Sequence, residues 1–153
     1  MPFIAIALLI AAALGGGASV AARSALPGDA LWNFKVQVNE RIAETAAVGD
    51  KAKAAQDIEF AQARLDEATK LAAEGRLNAG AQADIQANFD AHAEAVAERV
   101  AALQAQGEYA AAADVAARFQ AVLAKGASGA LDLRTQLETA SNLSAEASAK
   151  VKL

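Results

Sequence analysis

The chain of 153 residues has no cysteine, one histidine, two prolines and only 5% aromatic residues. Without cysteine there is no disulfide scaffold, no iron–sulfur cluster and no thiol nucleophile. A single histidine argues against a histidine-rich metal site and against a histidine relay. Net charge is -4, the wrong sign for a DNA or RNA partner. Two prolines and ten glycines leave few breaks in regular structure. Alanine supplies much of the 55% hydrophobic fraction, with 46 residues. It is the best helix former and a poor strand residue. The composition therefore excludes an all-β domain and disorder.

Charge is also missing from one region. Residues 1–22 carry no charged side chain; the first base is Arg23 and the first acid Asp29. As a helix this stretch is about 33 Å long, enough to cross a bilayer core of about 30 Å. Three readings compete: a cleaved secretory signal with Val20-Ala21-Ala22 as its cleavage site, a membrane anchor flanked by Arg23, and a mature N-terminal helix. A signal peptide needs a positive n-region, which is missing, and this favours the mature helix. Pro2 fits the first turn of a helix. Phe3, Ile4, Ile6, Leu8, Leu9, Ile10 and Leu14 surround much of the circumference, the pattern of a helix buried in lipid or among other helices. The alanines between them allow close helix approach. Gly15, Gly16 and Gly17 read as a hinge, since each costs about 0.8–1 kcal/mol in a helix interior. They are not a phosphate loop, because no Gly-Lys-Ser/Thr follows.

The remainder reads as Ala-rich helices. Ser24 to Asp29 is a turn with Asp29 as the helix cap. Leu31, Phe34, Val38 and Ile42 then make one apolar face, with Trp32 off it. Gly49-Asp50 separates this helix from a second over 50–73, with Ala54, Ile58, Ala61, Leu65, Ala68 and Leu71 as its stripe. Gly75 ends it and Asn78 caps a third helix. That helix carries Ile85, Phe89, His92, Val96, Val100 and Leu103, and stops at Gly107. A fourth runs from near Glu108 to Gly126 with Tyr109, Val115, Phe119 and Val122. A last helix holds Leu133, Leu137, Ala140 and Leu143, with a tail that has little to bury and frays. The expected fold is all-α: a charge-free hydrophobic N-terminal helix (1–22), a linker and capping turn (23–29), an Ala-rich antiparallel bundle of four to five helices (30–128), and a C-terminal helix with a polar tail (129–153). Freed of its first 22 residues, the domain is expected to be soluble.

Candidate chemistry is sparse. His92 stands near Asp90, Glu94 and Glu98 at helical spacing, but it falls on an apolar stripe and is expected to pack there rather than hold zinc. Asp57, Arg64 and Glu67 read as a solvated helix surface. Gly-x-Ser-x-Gly is absent. Asn142-Leu143-Ser144 matches the glycosylation triplet but also suits a plain polar tail. No metal, cofactor, small-molecule substrate or enzymatic activity is expected.

Two resemblances arise. Ala25-Leu26-Pro27-Gly28-Asp29-Ala30-Leu31-Trp32-Asn33-Phe34-Lys35, with the helix Asp57 to Ala68 after it, resembles the leading motif of a bacterial helical domain family of unknown function. The likeness covers about residues 25–125. Trp32 stands where that family commonly has tyrosine. The resemblance implies an extracytoplasmic domain behind a membrane segment and supplies no catalytic residue. Residues 1–22 are similar in layout to the N-terminal helix of a mature type IV pilin, with Met1 first. Many bacterial pilins have glutamate fifth, where this chain has Ala5; archaeal-type pilins lack that acid. The common bacterial pilin head contains a β-sheet, unlike this chain. This resemblance implies a filament subunit at the cell surface. It would partner itself in a helical homopolymer and lie in the membrane before assembly. The alternative is a membrane-anchored or secreted helical binding or sensing module.

Overall fold

A computed structural model describes residues 21–126 and 134–151. Phe3 to Leu14 and Gly15 to Gly17, the residues singled out for assembly and hinge, lie outside them. The described residues are helical, with no strand among them. The chain divides into two compact units, residues 1–43 and 44–153.

The first unit opens on a clasp built from Leu26-Pro27-Gly28-Asp29. The Asp29 amide donates to the Leu26 carbonyl at 2.8 Å, and the Leu26 amide donates to the Asp29 carboxylate at 2.8 Å. Gly28 sits at φ +94°, a conformation that a side chain disfavours. The Lys35 ammonium reaches back to the Ala25 carbonyl at 3.4 Å. The residues of the leading motif thus have local structural work. Asp29 closes its own turn, whereas the sequence suggested a helix cap. The helix begins later, at α1 (Trp32–Phe34), with Leu31 at the cap position and no side-chain cap bond.

A π-helical turn (Lys35–Asn39) follows, marked by the Glu40 amide bonding to the Lys35 carbonyl, and then α2 (Glu40–Ala46). The expected stripe of Leu31, Phe34, Val38 and Ile42 faces inward only in its first half: Leu31 and Phe34 are half-buried, and Val38 and Ile42 are exposed. Ile42 is 62% exposed, while Trp32 is buried at 5%. The buried residues are Trp32 and Glu40, with Leu31, Phe34, Val36 and Ala43 half-buried beside them in sequence. Trp32 is the bulkiest apolar side chain in the segment, so its burial outweighs that of the smaller residues. The i→i+5 turn adds a further shift in phase that a 3.6-residue period does not anticipate.

In the second unit, α3 (Asp50–Ala73), α4 (Ala79–Ala105), α5 (Tyr109–Gly126) and α6 (Arg134–Val151) pack together. The Asn78 side chain caps α4 by accepting from the Ala81 amide at 2.9 Å. Gly75, at φ +67°, closes α3, and the Arg76 amide returns to the Leu71 carbonyl at 2.8 Å. The α3 stripe from Ala54 to Leu71 and the α4 stripe from Ile85 to Leu103 are buried as the spacing predicts. Phe89 and Phe119 stack between α4 and α5 with ring centroids 6.4 Å apart. Ala54, Ala61 and Ala68 recur every seven residues and are buried, which lets neighbouring helices approach closely.

Two expectations need correction here. The C-terminal tail stays helical to Val151. Ala147 is fully buried, and Lys150 bonds to Gln104 of α4 and Glu146 of α6. A small side chain suffices where a partner helix lies close. Asp57, Arg64 and Glu67 are also buried, where a solvated face was expected. The reason is that α3 packs against both α4 and α5. Two neighbours cover a wider arc than one apolar stripe, so the residues flanking the stripe go inside.

Candidate functional site

The site forms on the seam between α3 and α4. The Gly75 turn reverses the chain, so residues almost equally far from it on either side face each other. Asp50 meets Arg99 and Gln106, with bonds of 3.0 and 2.8 Å to its carboxylate. Asp57 meets His92, with Oδ1 3.1 Å from Nδ1. Both pairs join α3 to α4 and fix the register of the two helices.

His92 is held on two sides. Asp57 accepts at Nδ1, and the Phe60 ring packs at a centroid distance of 5.1 Å and an angle of 48°. The end of α2 adds Glu44, whose Oε1 lies 3.9 Å from His92 Nδ1. Asp57 is buried, His92 nearly so, and the Glu44 side chain is 41% exposed. Beside them opens a cleft of about 370 Å³ lined by Glu44, Thr45, Lys53, Asp57, Ala95 and Arg99. Two carboxylates thus stand at the wall of a solvent-accessible space, and one of them bonds to the imidazole. Oxygen and nitrogen donors of this kind suit a cation. Lys53 and Arg99 on the same wall suit an anionic group.

Sequence spacing grouped His92 with Asp90, Glu94 and Glu98 of its own helix. The structure groups it with Glu44 and Asp57 instead, and no other cluster of metal-capable side chains stands among the described residues. Asp90 accepts from Gln86 at 2.8 Å, one turn back on α4, and Glu94 and Glu98 are exposed. The available signal was the Gly75 turn: folding the sequence back at that glycine sets Asp57 against His92 and Asp50 against Arg99.

Asp50 at the far end of the seam is a pH-sensitive tie. Its carboxyl titrates below the ordinary aspartate value because the Gln106 amide and the Arg99 guanidinium donate to its charged form. The charges of Arg99 and Lys53 add to this. A carboxyl with a depressed folded pKa stabilises the fold above its unfolded pKa. It loses that contribution as pH falls through the folded value. The denaturation midpoint in urea is therefore expected to drop as pH falls below about 4. Asp50→Asn is expected to lower the midpoint near neutral pH and flatten this acid limb. An acid limb as steep as in the native chain would remove Asp50 from that role.

Comparison of the chain with protein-family models, with curated proteins and with solved structures finds no match. No helix among the described residues is long and apolar enough to cross a membrane.

Proposed function

We propose that this chain is an extracytoplasmic helical binding module, held at a membrane through residues 1–22, which receives its ligand in the cleft between α3 and α4. The observation that carries the reading is the cleft with Asp57 and Glu44 at its wall and His92 bonded to Asp57. Ionisable groups gathered beside an open cleft are a feature of functional sites. Two sequence features agree. Residues 1–22 lack any charge, and the Leu26 to Lys35 motif resembles that of extracytoplasmic helical domains.

A second reading is favoured by the first 22 residues taken alone: a structural subunit of an extracellular pilus-like filament. Phe3, Ile4, Ile6, Leu8, Leu9, Ile10 and Leu14 would pack with their copies in the filament core, and the helical units would form the outer layer. Gly15 to Gly17 would bend between them. Burial of such side chains favours assembly by about 1.5–3 kcal/mol each, less ordering and association costs.

Electron microscopy of material sheared from the cell surface, with intact mass on the same sample, separates these readings. The module is expected in the membrane fraction, released by detergent as a monomer or small oligomer that retains residues 1–22. A soluble particle lacking them makes the module secreted. Thin filaments whose subunit retains residues 1–22 overturn the module in favour of the pilus-like subunit.

A further inference from the structure

We infer that Glu44, Asp57 and His92 form a binding site for a divalent transition-metal cation of the zinc type, an inference that rests on the cleft being the ligand site. The donor set is two carboxylate oxygens and the imidazole Nδ1, which binds a cation in the tautomer that carries its proton on Nε2. All three donor atoms lie within 4.8 Å of one another. A tetrahedral centre with bonds of about 2.0–2.1 Å holds its donors about 3.3 Å apart. Asp57 and His92 already stand at 3.1 Å, and Glu44 lies 3.9 Å from His92. The closing movement falls mainly on Glu44, the most exposed of the three.

Charge favours the same ligand. A metal-bound imidazole is neutral, so with two carboxylates the ligands carry two negative charges, which a divalent cation cancels. Arg99 gives its guanidinium to Asp50, and Lys53 lines the cleft from one turn before Asp57.

Rigidity favours it too. Asp57 and His92 project from two long helices locked together by the Asp50 tie, and Phe60 steadies the imidazole. The imidazole nitrogen selects zinc-like ions over magnesium or calcium, which prefer all-oxygen sites. Three protein ligands leave a fourth position, and the cleft opens beside them to admit water or an anionic ligand.

Titration of the full chain with zinc chloride, followed by calorimetry and by the ¹⁵N shift of the His92 ring, tests the inference. One zinc per chain is expected, with a shift at His92 Nδ1 and no response to magnesium at the same concentration. Glu44→Gln is the informative variant, because its side chain is the most exposed of the three. Its helical circular dichroism should match that of the native chain while zinc affinity falls at least about tenfold. Asp57→Asn is expected to lower affinity as much, with a folded-state check by the same spectrum. Zinc that leaves His92 unmoved, or that binds Glu44→Gln as tightly as the native chain, overturns the metal site. That outcome leaves a membrane-held module with a different ligand. Filaments on the microscope grid would overturn the module without touching the zinc result.

Discussion

Glu67→Ala is expected to destabilise the second unit by about 3–5 kcal/mol, the cost of stranding one member of a buried ion pair. Arg64 is 0% exposed and Glu67 5%, with the guanidinium Nη2 3.0 Å from Glu67 Oε1. Removing the carboxylate leaves a guanidinium in the interior with less compensation, and arginine does not escape by losing its proton. Urea denaturation is the measurement: the midpoint should fall with little change in slope. Asp66→Ala, one residue earlier and exposed, is the control and is expected within about 0.5 kcal/mol of the native chain. Arg64→Met combined with Glu67→Leu should cost less than Glu67→Ala alone, because that pair then buries no charge. A Glu67→Ala variant as stable as the control would show that solvent reaches the guanidinium.

The buried pair also shows where sequence stops being legible. The boundaries of α3 and α4 follow from punctuation that acts locally. Gly75 and Gly107 stop helices at positive φ, and Asn78 starts one through its own side chain. The stripes Ala54 to Leu71 and Ile85 to Leu103 follow from a 3.6-residue period. These features need no knowledge of the neighbours. The fate of Asp57, Arg64 and Glu67 does need it. A charged residue beside a stripe is outside when one helix covers that stripe and inside when two do. Helix α3 has two. His92 was legible as a packed histidine, and it packs. Its partners were not, because they come from 35 and 48 residues away on other elements.

The leading motif gives the opposite lesson. Leu26, Gly28, Asp29 and Lys35 make a turn and two return bonds over ten residues. A motif so local is expected to recur wherever this turn is built, whatever the domain binds. It marks architecture and carries no information on what the domain binds. The stripe Leu31 to Ile42 misled for a related reason. Regular spacing is evidence for a face only while the helix keeps one period, and the Lys35–Asn39 turn changes it.

For a module anchored as proposed through residues 1–22, Leu8→Lys is expected to abolish membrane association of the full chain while the helical units remain folded. A lysine at the centre of a spanning helix costs about 2.5–3.5 kcal/mol, and the leucine it replaces contributed about 0.5 kcal/mol the other way. The sum is a shift of roughly two to three powers of ten in the insertion equilibrium. Flotation on a density gradient measures it, with circular dichroism as the check on folding. The same charge would abolish filaments, so this variant alone does not divide anchor from pilus-like core. Ile6→Leu with Ile10→Leu does. Lipid is indifferent to the branching of an aliphatic side chain, so an anchor should float as before. A core of helices packed against copies of themselves is sensitive to shape, since volume-conserving swaps in close-packed interiors still carry a cost of up to about 1.5 kcal/mol each. That cost is repeated in every subunit of a polymer. Unchanged flotation without filaments supports the module, with residues 1–22 as its anchor. Filaments in the native chain that shorten or vanish in the double variant would instead make the apolar segment an assembly element.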